Sequence, residues 1–172
     1  MRYILLTAMI LFVAVLGCTP VPKEEVPSDP QIENTASNSD DYVPGTWIEN
    51  WNLAIASAKE LNRPVLVNFT GSDWCIWCIR LSKEVFTKDE FIDYAKNNLV
   101  LLKLDFPHKL QQSAALKQQN DTLAKQFGIQ GYPTIVLVNQ EGKEIQRTGY
   151  QPDGAAKYVE HLQEMLSEQS VK

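Results

Sequence analysis

Val65-Leu66-Val67-Asn68-Phe69-Thr70-Gly71-Ser72-Asp73-Trp74-Cys75-Ile76-Trp77-Cys78 sets the fold expected for the whole chain. Val65 to Phe69 is apolar except for Asn68 and rich in β-formers, which predicts a short buried strand. Gly71, Ser72 and Asp73 are turn formers. A helix is expected next, from Cys75 to about Val85. The two cysteines therefore stand where a buried strand gives way to a helix.

The chain has three cysteines, and three readings of Cys75 and Cys78 compete. In the first they are a redox dithiol. A cysteine at a helix N-terminus faces unpaired backbone N–H groups and the positive end of the helix dipole, and both favour the reactive thiolate. Cys78, one turn further on, is placed to attack a mixed disulfide formed on Cys75 and so release the partner. On this reading Cys75 is the nucleophile and the more exposed thiol, and Cys78 is the resolving thiol. In the second reading the pair binds zinc. A structural zinc site needs four ligands, and the two histidines, His108 and His161, fall at unrelated distances. No metal is expected. In the third the pair is a static staple, although closing so short a loop constrains the unfolded chain little.

Elements of both kinds surround this segment. Thr46 and Glu49 have capping-box spacing, and Trp47, Trp51, Ala54, Ile55, Ala58 and Leu61 recur at helical spacing until Arg63-Pro64. Thr87 and Glu90 repeat the capping-box spacing before Phe91, Tyr94 and Ala95. Leu99 to Leu104 reads as a second buried strand. Phe106 to Asn120, polar and Gln-rich, reads as a loop with some helix, its glutamines on a solvated face and His108 at the surface. Leu123 to Phe127 is helical, with Gly128 at the position of a C-terminal glycine cap. Thr134 to Val138 is a strand, Asn139 to Gly142 a turn, and Lys143 to Thr148 an edge strand. Ala155, Val159, Leu162 and Leu166 mark a closing amphipathic helix, with His161 on its polar side. Strands alternating with helices predict an α/β fold with a mixed sheet.

The ends of the 172-residue chain read differently. Residues 1–17 have the form of a signal peptide: Met1-Arg2, then a nearly unbroken apolar run from Tyr3 to Leu16. That run is shorter than the about 20 residues that span a bilayer. Val15-Leu16-Gly17-Cys18 resembles a bacterial lipobox, which implies that Cys18 becomes lipidated and anchors the chain to a membrane. Residues 18–44 hold the prolines Pro20, Pro22, Pro27, Pro30 and Pro44 among acidic and polar residues, and are expected to form an extended linker. Residues 45–172 are expected to form the folded domain. A net charge of −5 without a basic run argues against nucleic acid as a partner.

Two signatures resemble the thioredoxin superfamily. One is Val65-Leu66-Val67-Asn68-Phe69 followed by Trp74-Cys75-x-x-Cys78. The other is Phe127-Gly128-Ile129-Gln130-Gly131-Tyr132-Pro133-Thr134. Gly71-Ser72-Asp73-Trp74-Cys75 and Lys83-Glu84-Val85-Phe86 look closest to exported thioredoxin-like proteins, among them the C-terminal domain of the disulfide reductase DsbD. The resemblance covers about residues 46 to 168. It implies a thioredoxin fold, a central mixed β-sheet flanked by helices on both faces. It also implies a cis Pro133 lying against the dithiol, a Tyr132 backbone free to pair with an extended substrate, and Trp74 covering the nucleophile. No organic cofactor is implied. Asn68 stands where the family carries a buried Asp, and Lys103 matches the family's buried Lys; Asp105 and Asp73 are the candidate partners of Lys103. Ile76-Trp77 replaces the usual Gly-Pro between the cysteines.

The function implied is reduction or isomerisation of disulfides in exported proteins. The partners would be proteins with thiols or disulfides and an upstream dithiol electron donor. The location would be a bacterial membrane, facing the periplasm or the exterior. The alternative is a non-catalytic binding lipoprotein that presents the same groove. Copper delivery is a third reading, but copper chaperones of this fold have wider Cys spacing and a nearby His, both missing here.

Overall fold

The computed structural model describes residues 42–167; the expected signal peptide, Cys18 and the expected linker as far as residue 41 lie outside the described residues. Five strands and five helices alternate in the order β1 (Trp47–Ile48), α1 (Trp51–Leu61), β2 (Val65–Thr70), α2 (Ile76–Leu81), α3 (Asp89–Asn98), β3 (Val100–Asp105), α4 (Ala114–Gln126), β4 (Thr134–Val138), β5 (Glu144–Thr148) and α5 (Gly154–Ser167). A π-helical turn, Ser82–Phe86, continues α2 and interrupts the single helix expected to about Val85.

The sheet order is β1-β3-β2-β4-β5. β3 runs parallel to both β1 and β2, whereas β4 is antiparallel to its neighbours β2 and β5. The period-2 alternation of a strand sends neighbouring side chains to opposite faces, and each face has its own core. Leu66, Leu101, Ile135 and Leu137 pack with α2, α3 and α5 through Leu81, Phe91 and Tyr158. Val65, Val67, Phe69, Leu102 and Val136 pack with α1 and α4 through Ala54, Ala58, Leu123 and Phe127. The mixed sheet with helices on both faces is thus present as expected, with β5 at an edge. Gly128, at φ 61°, ends α4: Ile129 N–H donates to Ala124 O and Gly128 N–H to Lys125 O, a Schellman pair of bonds.

Several local expectations are corrected. Thr46 does not cap a helix; its hydroxyl donates to Val43 O, and Trp47-Ile48 pairs with Leu101-Leu102 as a strand. The spacing of Trp47 to Trp51 mimicked a helix, but Trp47 packs on Phe86 and Phe91 in the core on the α3 face of the sheet. The cap of α1 is Asn50, whose side chain accepts the Leu53 N–H. Thr87 likewise caps nothing ahead of α3, since its hydroxyl donates to Lys83 O. The Gln-rich segment yields a full helix from Ala114, capped by Ser113. Two of its glutamines are bound rather than solvated: Gln119 accepts Trp51 N–H and donates to Glu49 O, and Gln112 donates to Asp105 O. His161 is half-buried and shares a hydrogen bond with Thr148. Tyr42, within the stretch read as linker, is buried in the α1–α4 core, where its hydroxyl accepts Leu101 N–H.

Candidate active site

β2 delivers the chain to the turn Gly71–Trp74, and α2 starts immediately after it. Cys75 is the N-cap of α2: its backbone is extended, and its sulfur accepts the Cys78 N–H at 3.2 Å. A sulfur there meets one of the N–H groups that a helix leaves unpaired. Cys78 Sγ in turn faces Gly71 N–H at 3.5 Å. The two cysteines form a disulfide, with Cα atoms 5.2 Å apart. Exposure does not separate them as expected: Cys75 is 5% and Cys78 4% accessible, because both sulfurs are tied into the disulfide and satisfied by backbone N–H groups. What distinguishes them is place, Cys75 at the cap and Cys78 within the first turn.

The bond Tyr132–Pro133 is cis. Phe69 pairs with Thr134, so Pro133 lies beside the end of β2 from which the dithiol turn departs. Trp74 stands between the two signatures, edge to face with Tyr132 at 5.8 Å and donating from Nε1 to Phe106 O at 2.8 Å. Gly71 is required beneath it: a Cβ there would lie 2.5 Å from the indole.

Sequence reasoning missed how firmly the 105–110 loop is fastened to this turn. His108, read as a plain surface residue, stacks flat on Trp74. Asp73 accepts the backbone N–H groups of His108, Lys109 and Leu110 at 2.9, 2.7 and 3.1 Å. These bonds, the one from His108 foremost, hold its carboxyl below the ordinary Asp range. Asp105 accepts both the N–H and the hydroxyl of Ser72. A cleft of about 420 Å³ opens between Trp74, Phe106, His108 and Tyr132, and neither cysteine lines it.

The other side of the dithiol is apolar and exposed. Ile76 is 74% and Trp77 49% accessible. Trp77 is held in a closed ring of contacts: it packs on Tyr150, Tyr150 OH donates to Glu84, Glu84 pairs with Arg80, and Arg80 covers the Trp77 ring.

Asn68 and Lys103 are register partners on β2 and β3. Neither Asp73 nor Asp105 pairs with Lys103, because the loop amides and Ser72 occupy them. The partner is Glu49, at 2.9 Å. Its position just beyond β1 could be found only once Trp47–Ile48 was known to be a strand.

A thioredoxin-like domain family matches residues 51–165, which takes in both signatures and the dithiol. The chain belongs to this thioredoxin-like family. The disulfide bond reductase DsbH of Chlamydia pneumoniae is 35% identical over 118 residues, 69% of this chain and 71% of that protein. The thiol:disulfide interchange protein DsbD of Yersinia pestis is 30% identical over 114 residues, which is 64% of this chain but 17% of that longer protein. A solved DsbH oxidoreductase matches with a TM-score of 0.68 at 34% identity, covering 71% of this chain and 84% of that one. The resemblance read from the two signatures and the fold it implied both hold. Among the described residues, no three His, Cys, Asp or Glu side chains converge as a metal site, and no helix is long and apolar enough to cross a membrane.

Proposed function

We propose that this chain is a thiol-disulfide oxidoreductase that reduces or isomerises disulfides in exported proteins while tethered to a bacterial membrane through Cys18. The observation that carries the redox reading is the Cys75–Cys78 disulfide at the N-terminus of α2, beside the Tyr132–Pro133 bond. The relative named a disulfide bond reductase supports reduction as the direction of the chemistry. Cys75 thiolate attacks one sulfur of a substrate disulfide, forming a mixed disulfide and expelling the other substrate sulfur as thiolate. Cys78 then attacks Cys75 Sγ, closes the enzyme disulfide and releases the reduced substrate. Tyr132 and Pro133 border the approach to Cys75, and Trp74 holds that border against the 105–110 loop. An upstream dithiol donor returns the pair to its reduced state, and no organic cofactor takes part. Export and anchoring rest on the sequence alone, on the apolar run and Val15-Leu16-Gly17-Cys18.

The deciding experiment is a non-reducing gel of variants expressed with their export signal. Cys78→Ala keeps the first step and loses the fast intramolecular exit, so mixed disulfides accumulate; Cys75→Ala accumulates few or none. If neither variant traps a partner, a non-catalytic binding role replaces catalysis. Mass spectrometry of membrane-derived protein tests the anchor. A lipidated Cys18 as N-terminus is expected, and an unmodified chain that starts elsewhere removes it.

A further inference from the structure

The cleft of about 420 Å³ beside Trp74 has a neighbour of about 370 Å³ along Gly128, Ile129 and Gln130. Phe106, Asp121 and Tyr132 line both, so these three side chains stand where the two clefts meet. Tyr132 precedes the cis Pro133, so the double cleft flanks the segment that leads to the dithiol. Its walls are set before anything binds. Asp73 fastens the loop, Trp74 donates to Phe106 O, and Gln112 and Asn120 both donate to Asp105 O. A preformed cleft spares a ligand much of the ordering cost of binding.

The junction combines ring surface with one unclaimed charge. The Phe106 and Tyr132 rings lie 5.2 Å apart, and Tyr132 abuts Trp74 edge to face. Among the described residues the Asp121 carboxylate has no ion pair and no hydrogen bond. Lys117 and Lys125 stand four residues before and after it on α4, a spacing that allows pairing, yet neither pairs with it. Other acids around the dithiol are engaged: Asp73 by loop amides, Asp105 by Ser72, and Glu84 by Arg80 and Tyr150. Burial pushes the Tyr132 hydroxyl up, and the nearby Asp121 charge adds to that rise. An unpaired carboxylate beside aromatic rings suits a ligand that brings both a cation and a flat surface. Arginine brings both, since its planar guanidinium packs on rings and bonds a carboxylate through two N–H groups. An acidic side chain would meet Asp121 as a like charge, and an apolar one would leave the carboxylate unused.

We propose that the junction of the two clefts is a subsite for an arginine side chain close to the reactive cysteine of a substrate polypeptide, with Asp121 as its counter-charge and Tyr132 and Phe106 as its packing surface. This rests on the oxidoreductase role proposed above and narrows its substrates to disulfides whose cysteines have an arginine a few residues away. An extended substrate on the Tyr132 backbone sends alternate side chains to one face. A residue near its cysteine is thereby carried toward the clefts while the sulfur meets Cys75. Asp121 selects the substrate and takes no part in the exchange of sulfurs.

Peptides of one sequence, each with a single cysteine held as its mixed disulfide with thionitrobenzoate, test the subsite. Arg, Gln or Glu is placed in turn at each nearby position on either side of the cysteine. The reduced protein is mixed with each peptide at low salt, and stopped flow follows the released thionitrobenzoate. In that step the Cys75 thiolate bonds the peptide sulfur, and thionitrobenzoate leaves with the electron pair of the broken S–S bond. The readout is the Arg-to-Gln ratio of second-order rate constants within each variant, so a general loss of activity cancels. At one or more positions the wild type should favour Arg over Gln by about tenfold, through a lower half-saturating concentration rather than a faster saturated rate. Asp121→Asn should bring that ratio to about one, and Asp121→Lys should favour Glu over Gln. A wild-type ratio near one at every position overturns the proposal, as does an Arg preference that survives Asp121→Asn. A wild-type preference for Glu overturns it too, and assigns the cleft to Lys117. A wild type that releases no thionitrobenzoate from any peptide would instead overturn the redox role itself.

Discussion

The His108 imidazole lies on the Trp74 indole with ring centroids 4.4 Å apart and planes 4° from parallel. Asp73, next to Trp74, sets that register by accepting the three amides of residues 108 to 110. Because these bonds depress the Asp73 carboxyl, the clamp is fully present above the ordinary Asp pKa of about 3.9 and is lost as pH falls through the lower folded-state value. Acid below that range, or Asp73→Asn at neutral pH, should therefore release the loop. Hydrogen exchange followed by mass spectrometry should show faster exchange at Lys109 and Leu110 with β2 unchanged. Equal protection of the loop in Asp73→Asn would mean that the Trp74–His108 stack suffices without the carboxylate.

Gly71→Ala tests how tightly the turn is built. The added methyl would lie 2.5 Å from the Trp74 ring system, far inside contact distance, so the indole must move. Its bonds to Phe106 O and His108 should be lost together. A red-shifted and weakened tryptophan emission is expected, with a destabilisation of about 1–3 kcal/mol in urea. Wild-type emission would show that the backbone yields instead.

The fold was legible because its strands are short, nearly continuous apolar runs and its two signatures stand at strand ends. β2 and β4 were found nearly to the residue for that reason. β1 was not, because a two-residue strand carries no period of its own and Trp47 happens to fall four residues before Trp51. α4 was obscured because its buried positions are Asn120 and Leu123 alone, so its periodic signal is weak. The cysteines and Pro133 could be named from the chain. The Asp73 clamp and the Lys103–Glu49 pair could not, since both join residues more than 30 apart through side chains that look like ordinary solvated charge.

Core and rim of the site should respond differently to truncation. Phe69 is fully buried between Phe106 and Phe127 on the α1–α4 side of the sheet. Phe69→Ala should cost about 3–5 kcal/mol. Trp77 is as large but half exposed, and its ring of contacts with Arg80, Glu84 and Tyr150 lies at the surface. Trp77→Ala should cost less than about 1 kcal/mol while weakening reduction of protein substrates more than of small disulfides. Paired urea titrations and rates with both substrate types check this. Equal loss on both substrate types would assign Trp77 to the chemistry rather than to partner contact.

Asn68 tests what an unpaired polar atom costs this core. It occupies a core position on β2 between Lys103 and Ile135, and its side-chain oxygen has no protein partner. A polar group in that state costs free energy that an apolar side chain of similar shape does not. Asn68→Leu should therefore leave the fold equally stable or more stable by up to about 1 kcal/mol, read as a higher urea midpoint at an unchanged slope. A midpoint at or above wild type would show that the unpaired oxygen costs the core free energy. A lower midpoint would show that ordered water already satisfies the oxygen.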